Sequence, residues 1–124
     1  MRILVTGCAG FIGFNLSLKL IKTFPNSRIF GIDNFDEYYS PKLKKNRKNV
    51  LMKNKKFFFK KIDINDQKIL EKFIFKIKPE IIFNLAAQAG VRYSLINPRK
   101  YVNANINGFF NLCEIAKKIN VKKF

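Results

Sequence analysis

Residues 1–15, MRILVTGCAGFIGFN, decide the fold, because they join a short apolar run to evenly spaced glycines. The run Arg2–Thr6 is rich in aliphatic and β-branched residues, which is typical of a buried strand. Three glycines follow it at three-residue intervals, namely Gly7, Gly10 and Gly13. Apolar side chains then recur with a helical period over residues 11–22. A strand, a glycine turn and a helix in this order predict the first unit of a parallel α/β sheet.

The same alternation continues along the chain. Further strands are predicted at residues 28–32, 56–62 and 80–85, and further helices at residues 41–53 and 66–77 and from Pro98 onward. The buried stripe predicted for the third helix is Ile69, Phe73 and Ile77, and that for the last helix is Val102, Ile106, Phe109, Cys113 and Ala116. Residues 121–124 look like a strand that has just begun. We predict an α/β fold, a Rossmann-like parallel sheet with helices on both faces, truncated at the start of strand five.

Length and composition bound the class of protein. A chain of 124 residues with 48% hydrophobic and 15% aromatic residues predicts one globular domain. It contains neither a membrane-length apolar run nor a signal peptide, so we expect a cytoplasmic protein without a membrane partner. Cys8 and Cys113 are expected to be small buried thiols. The absence of histidine leaves zinc sites and histidine-based triads without their usual groups.

The formal charge of +17 raises the question of a polyanionic partner. Residues 41–61, PKLKKNRKNVLMKNKKFFFKK, mix lysines with aromatic residues, as nucleic-acid-binding surfaces do. However, lysines continue along the whole chain, and isoleucine, asparagine and phenylalanine are enriched as well. All four have A/T-rich codons, so we attribute the charge to genome composition and expect a solvated surface. A basic nucleic-acid-binding protein is the alternative, and salt-sensitive retention on DNA would indicate it.

The glycine loop is a candidate phosphate site. Gly7 allows a tight turn, Gly10 lets the backbone approach a pyrophosphate, and Gly13 lets the helix pack closely. The N–H groups at the start of that helix would then face phosphate oxygens. The spacing is GxxGxxG rather than GxGxxG, and a glycine turn without a ligand is the alternative. No lysine follows the glycines, which disfavours a nucleoside triphosphatase.

Three further segments are expected at the same edge of the sheet. Asp33 comes at the end of strand two, where a carboxylate accepts from both hydroxyls of an adenosine ribose and repels a 2′-phosphate. This favours NAD over NADP, whereas ordinary turn chemistry is the alternative for this residue. Asp63 and Ile64 follow strand three, and Leu85, Ala86, Ala87 and Gln88 follow strand four. Together with the glycine loop, these segments predict one continuous cleft.

These motifs carry a resemblance that covers essentially the whole chain. VTGCAGFIG, the pairs Asp33-Asn34 and Asp63-Ile64, and NLAAQAGVRYS resemble the extended short-chain dehydrogenase/reductase family, the NAD-dependent epimerases and dehydratases of nucleotide sugars. Within it, DNFDEYYSPKLKKNR and LAAQAGVRYSLINPRKYVNANINGFFNL are similar to the UDP-glucuronate 4-epimerase group. The resemblance implies NAD as cofactor, a UDP-sugar substrate and a homodimer for the intact enzyme. Another nucleotide-sugar dehydratase or epimerase is an alternative.

The resemblance also implies a role for each site residue. Phe11 and Ile12 would contact the pyrophosphate, Asp33 and Asn34 the adenosine ribose, Asp63 and Ile64 the adenine, and Leu85, Ala86, Ala87 and Gln88 the nicotinamide-side ribose. Arg92 and Tyr93 would face the sugar nucleotide, with a solvated loop arginine as the alternative. Asn105 would support the active site, unless it is an ordinary helix-face asparagine. The chain departs from the family at Asn84, where histidine is common, and at Cys8, where alanine or glycine is common.

The family's catalytic pair is the remaining expectation. In that family a Tyr-x-x-x-Lys pair on the helix after strand five supplies the base. Tyr38 and Lys42 match this spacing, but Pro41 biases Ser40 away from the helical region, so we predict a cofactor-covering loop and no catalytic residue here. Residues 1–124 are therefore expected to be the N-terminal part of an NAD-binding domain, lacking the catalytic helix and substrate domain, and inactive alone. A non-catalytic NAD-sensing module is the alternative from another functional class.

Overall fold

A computed structural model describes all 124 residues and contains one four-stranded parallel sheet. Its strands are β1 (Arg2–Thr6), β2 (Arg28–Asp33), β3 (Phe57–Lys61) and β4 (Ile81–Asn84). They lie in the order β3-β2-β1-β4, with Leu4 of β1 opposite Phe30 of β2 and Ile82 of β4. The chain runs outward from β1 to β3 and then returns to the other side of β1. This reversal places the loop after β1 at the point where parallel sheets bind ligands.

Helices connect the strands and cover both faces of the sheet. They are α1 (Phe11–Thr23), α2 (Pro41–Met52), α3 (Gln67–Ile77), α4 (Val91–Ser94), α5 (Pro98–Tyr101), a π-helical segment (Val102–Gly108) and α6 (Phe109–Lys118). Side chains alternate along β1, so that Ile3 and Val5 join a hydrophobic cluster with α1 and α2. Leu4 joins a second cluster with α3 and α6 on the opposite face. The predicted Rossmann-like fold is confirmed.

Local chemistry sets the helix boundaries. Pro41 takes the first position of α2, where a missing N–H costs nothing. Asp66 caps α3 by accepting from the Ile69 N–H at 3.1 Å. Lys78 ends the same helix in the left-handed conformation at φ 44°, directly before Pro79.

The predicted buried stripe of α3 is wrong in part. Leu70, Ile74 and Ile77 are buried against the sheet, whereas Ile69 is 48% exposed. Phe73 lies at the border of the buried face, with its ring centroid 6.4 Å from that of Phe30. Both stripes recur at helical spacing, so the periodicity alone did not distinguish them. The aliphatic stripe of Leu70, Ile74 and Ile77 packs against the sheet, whereas Phe73 lies at the edge of this contact.

The predicted stripe of the last helix is also wrong. Val102, Ile106 and Phe109 are exposed, Cys113 is half-buried, and of this stripe only Ala116 is buried. The helix also contains the π-helical segment, whose hydrogen bonds span five residues and change the angular positions of later side chains relative to a regular α-helix. The side that faces the core is instead formed by Gly108, Leu112 and Ile115. The expectation of a buried thiol therefore holds in full only for Cys8.

The last residues add one isolated parallel bridge beside β4, where a fifth strand was predicted. Lys123 makes a single parallel bridge to Ile81, and its carbonyl accepts from the Ile82 N–H at 2.9 Å. None of the helices combines the length and the apolar character needed to cross a membrane.

Candidate functional site

The carboxyl ends of the strands open onto a cleft of about 760 Å³, which is in the size range of small-molecule and cofactor sites. The structure brings all of the sequence-predicted cofactor residues to its walls: Gly7, Gly10, Phe11, Ile12, Gly13, Asp33, Asn34, Asp63, Ile64, Leu85, Ala86, Ala87 and Gln88. They come from the loops after all four strands. The predicted continuous cleft is therefore present at the topological switch point.

The glycine loop owes its shape to two contacts that exclude side chains. Gly7 has φ 63°, and a Cβ atom there would lie 2.8 Å from the backbone of Leu85 and Ala86. A Cβ atom on Gly13 would overlap the Gly7 carbonyl, at 2.8 Å from its carbon atom, and approach the Cα atom of Cys8 to 2.9 Å. Gly10 is less restricted, because the nearest atom to its Cβ would be the Gly7 oxygen at 3.1 Å. The loop thus packs α1 directly against the turn that leaves β1.

The start of α1 presents unpaired donors to the cleft. No side chain caps this helix, and no acidic residue lies in its first turn. The N–H groups of Phe11, Ile12 and Gly13 have no acceptor within the helix, as at any helix start. Phe11 and Ile12 are 70% and 66% exposed beside these donors. The geometry suits a phosphate oxygen.

Asp33 anchors the glycine loop as well as lining the cleft. Its Oδ2 accepts from the Ala9 N–H at 3.1 Å and its Oδ1 accepts from the Phe35 N–H at 2.8 Å. The residue is only 6% exposed. Each carboxylate oxygen has a second lone pair, so both can still accept from a ligand hydroxyl. Asp33 therefore stabilises a local turn, as the alternative interpretation proposed, and also lines the cleft.

Cys8 and Gly31 fit together beneath the glycine loop. A Cβ atom on Gly31 would lie 2.6 Å from the Cys8 sulfur, so the thiol fills the space that this glycine leaves. Burial, followed by the charge of Asp33, raises the pKa of the Cys8 thiol far above its ordinary value. Cys8 is thus an inert packing group.

The Asp63 carboxylate is held in its charged form at the cleft edge. Its Oδ2 accepts from the Asn34 side-chain amide at 3.0 Å, and its Oδ1 accepts from the backbone and side-chain amides of Asn65 at 2.8 and 2.9 Å. Burial raises the pKa of Asp63, but the hydrogen bonds from Asn34 and Asn65 outweigh this and hold the pKa below its usual value. The loops after β2 and β3 are joined by this contact.

A pH dependence follows from the lowered pKa of Asp63. A carboxyl whose pKa is lower in the folded state adds stability above its unfolded pKa of about 3.9, and that stability is lost as the pH falls through the folded value. Replacing Asn34 with alanine should raise the pKa of Asp63 toward the unfolded value. Titration of the Asp63 carboxyl carbon by NMR, in the unmodified chain and in the variant, measures this directly. An unchanged Asp63 titration in Asn34→Ala would contradict the assignment.

The loop after β4 is shaped by a threonine that the sequence analysis did not select. Thr6 Oγ1 donates to Asn84 Oδ1 at 2.6 Å and accepts from the N–H groups of Leu85 and Ala86, both at 3.0 Å. Thr6 is fully buried at the end of β1. Asn84 thus orients the hydroxyl that holds this loop. The sequence held one signal for this role, namely a polar residue at the end of a predicted strand.

Asn105 holds the same loop from the other side. Its Oδ1 accepts from the Gln88 N–H at 2.8 Å, and its Nδ2 donates to the Gln88 carbonyl at 3.1 Å. Asn105 itself does not line the cleft, and neither do Arg92 and Tyr93 of α4. Arg92 is exposed, and Tyr93 packs against Tyr38 with ring centroids 5.0 Å apart. The structure thus brings Asn105 to a cleft-lining loop and places the two predicted substrate residues outside the cleft.

Several charged residues of the cleft were not predicted as site residues. Lys100 and Asp36 pair at 2.9 Å across the cleft wall. Lys44 is buried, donates to the Asp36 carbonyl at 2.8 Å and lies 4.5 Å from the Tyr39 ring centroid. Arg47 also lines the cleft. Lys44 and Arg47 belong to the basic segment that we expected to be solvated. Instead, both side chains pack against aromatic rings and line the cleft.

The Tyr38–Lys42 spacing does not form a helical pair. Ser40 has φ −41° and ψ 112°, outside the helical region, and α2 starts only at Pro41. Tyr38 and Tyr39 both lie in the cleft wall, as expected for a loop over a cofactor. The expectation that Pro41 keeps Ser40 out of the helix is confirmed.

Comparisons with known proteins agree with the site. The chain is 43% identical to protein CapI of Staphylococcus aureus over 98% of its own length and 36% of that protein. It is 44% identical to UDP-glucuronate 4-epimerase 6 of Arabidopsis thaliana over 97% of its own length and 25% of that protein. The chain therefore spans between a quarter and about a third of the length of these curated relatives.

Solved structures of nucleotide-sugar enzymes are also similar to this chain. The UDP-glucuronic acid 4-epimerase of Bacillus cereus, crystallised with UDP-glucuronic acid and NAD, superposes with a TM-score of 0.85 at 36% identity, covering 94% of this chain and 36% of that one. The dTDP-glucose 4,6-dehydratase of Bacillus anthracis, crystallised with NAD, gives 0.80 at 26% identity, covering 98% of this chain and 35% of that one. The sequence model of the GDP-mannose 4,6 dehydratase family matches residues 4–124. The chain belongs to this family.

Proposed function

We propose that this chain is the NAD-binding portion of a UDP-sugar epimerase of the UDP-glucuronate 4-epimerase type. The observation that carries the proposal is a single cleft that joins an uncapped helix start to a buried carboxylate at the end of the next strand. A dinucleotide needs both features, one for its diphosphate and one for its adenosine ribose. The relatives at 43% and 44% identity favour this type.

Each wall of the cleft has a proposed part in binding. Phe11 and Ile12 donate their backbone N–H groups to the diphosphate. Asp33 and Asn34 accept from and orient the adenosine ribose, and Asp63 and Ile64 lie against the adenine. The backbone of residues 85–88 borders the nicotinamide-side ribose, where small side chains leave room. When bound, NAD supplies reversible hydride acceptance for the sugar, while these residues hold it in position.

Epimerase activity is favoured over a dehydratase activity by similarity. The Arabidopsis thaliana UDP-glucuronate 4-epimerases are 42% to 44% identical to this chain, whereas the dTDP-glucose 4,6-dehydratase structure is 26% identical. In the intact enzyme, the substrate would be a UDP-sugar, as in the Bacillus cereus complex. A homodimer in the cytoplasm is part of this proposal.

The 124 residues are proposed to bind the cofactor without turning over the sugar. They hold no helical Tyr-x-x-x-Lys pair, because the Tyr38–Lys42 spacing is broken by the start of α2 at Pro41. The proton transfer that must accompany hydride transfer therefore lacks its base within these residues. The catalytic helix and substrate domain would be supplied from outside residues 1–124.

Calorimetric titration of the chain with NAD and NADP tests the proposal. We expect one NAD per chain, and NADP binding at least about tenfold weaker, because Asp33 repels a 2′-phosphate. Incubation with UDP-glucuronate and NAD should give no epimerised product. Absence of heat with NAD, equal affinity for both cofactors, or turnover by the chain alone would each contradict a part of the proposal.

A further inference from the structure

Arg47 reaches from α2 to the glycine loop. Its Nη1 atom donates to the Ala9 carbonyl at 3.3 Å and to the Tyr39 hydroxyl at 3.4 Å. The guanidinium carbon lies 5.8 Å from the ring centroid of Phe11 and 6.0 Å from that of Phe14. The side chain is half-buried and lines the cleft beside the start of α1. A cation is thus held by aromatic rings at the place where the loop would meet a diphosphate.

The positive charge of Arg47 forms no salt bridge. The salt bridges pair Lys100 with Asp36, Lys118 with Glu71 and Lys122 with Glu80, and none of them includes Arg47. Both hydrogen bonds of its guanidinium come from one nitrogen and go to neutral oxygens. Most of its five N–H donors therefore remain available. A half-buried cation that no salt bridge neutralises favours the binding of an anion next to it.

The neighbouring helix start has the same sign of charge. The first turn of α1 presents the positive end of the helix dipole, with no acidic side chain to balance it. The glycine loop also lacks the lysine that neutralises phosphates in P-loop proteins. An anion placed between the helix start and Arg47 would relieve the repulsion between them. A diphosphate has two negative charges and offers planar pairs of oxygens to a guanidinium fork.

We infer that Arg47 binds the diphosphate of the dinucleotide, supplying the cationic half of a site whose other half is the N–H groups of α1. This inference rests on the proposed function. It adds a diphosphate-binding residue that lies outside the glycine motif. The contacts to Phe11 and Phe14 hold the guanidinium in the direction of the cleft. Its bond to Ala9 sets its distance from the loop.

A purely structural role for Arg47 makes a different prediction. If the guanidinium only supported the Ala9 carbonyl, its loss would distort the loop and weaken every ligand of the cleft alike. If it binds the diphosphate, its loss weakens only the ligands that carry phosphate. Adenosine, ADP and NAD share one nucleoside and differ in phosphate, so their relative affinities separate the two roles.

The experiment is calorimetry of four forms of the chain with adenosine, ADP and NAD. Arg47→Gln should weaken ADP and NAD by roughly 10- to 100-fold, which is typical of a lost charged hydrogen bond. Its affinity for adenosine should change by less than about twofold. Arg47→Lys keeps the charge without the fork and should recover part of the loss. Lys45→Gln, on the exposed side of the same helix, should match the unmodified chain for all ligands.

Each other outcome overturns the inference. Equal loss of adenosine and ADP binding in Arg47→Gln would indicate loop support, and unchanged ADP binding would exclude a phosphate contact. If Arg47→Gln does not fold, Arg47→Lys must still weaken ADP several-fold relative to adenosine. Failure of the unmodified chain to bind NAD would instead reject the proposed function, so the two failures are distinguishable.

Discussion

Replacing Gly13 with alanine should lower the free energy of unfolding by about 3 kcal/mol or more, at the upper end of overpacking effects. The new Cβ atom would overlap the Gly7 carbonyl and approach the Cys8 Cα atom to 2.9 Å, and both neighbours are backbone. Relief requires moving α1 away from β1, which opens the core around Val5 and Leu20. Stability of this size is a large fraction of what a domain possesses.

Gly10→Ala is the matched control for this substitution. Its Cβ atom would lie 3.1 Å from the Gly7 oxygen and 3.7 Å from the Tyr39 hydroxyl, so small shifts accommodate it. We expect a loss of less than about 1 kcal/mol in urea denaturation followed by circular dichroism. Equal stabilities of the two variants would show that close packing of α1 on the glycine turn does not depend on Gly13.

Asp33→Asn should weaken NAD binding by roughly 10- to 100-fold and reduce the preference for NAD over NADP. The amide keeps the shape of the carboxylate but loses its charge and one of its two acceptor oxygens. One of the backbone donors of Ala9 and Phe35 then loses its partner, so a moderate loss of stability is expected as well. Calorimetry with both cofactors measures the preference independently of that loss.

Asp66→Asn serves as the control for the same chemical change. Asp66 caps α3 and does not line the cleft, and asparagine is an equally good N-cap residue. Its cofactor affinities should equal those of the unmodified chain. If Asp33→Asn weakened NAD and NADP by the same factor, Asp33 would be an anchor of the glycine loop and not a determinant of cofactor choice.

The sheet and its cleft were predictable because their signals are local. The strands are short apolar runs, and the glycine spacing marks the turn after β1 without reference to any other part of the chain. Because parallel strands end at one edge, residues following each strand had to converge there. The positions of Asp33, Asp63 and Gln88 at the cleft follow from chain order alone.

The remaining details depend on contacts between distant residues. Whether α3 buries Ile69 or Ile74 is decided by the sheet, since both lie on apolar stripes. The π-helical segment changes the helical period itself, which a pattern search at 3.6 residues per turn does not detect. Arg47 has a long side chain, and its direction is fixed by contacts with residues of other segments, namely Ala9, Phe11 and Phe14. The anchoring role of Asp33 likewise depends on a contact with a residue of another loop, Ala9.

The central claim is that a dinucleotide occupies this cleft with its diphosphate at the glycine loop. Titration of the ¹⁵N-labelled chain with NAD, followed through backbone amide resonances, tests it most directly. We expect the amides of Gly10, Phe11, Ile12 and Asn34 to shift in a saturable manner, while those of residues 53–56, at a separate pocket lined by Ile21 and Phe24, stay unchanged. Saturable shifts confined to residues outside the cleft, or none at millimolar NAD, would contradict the claim.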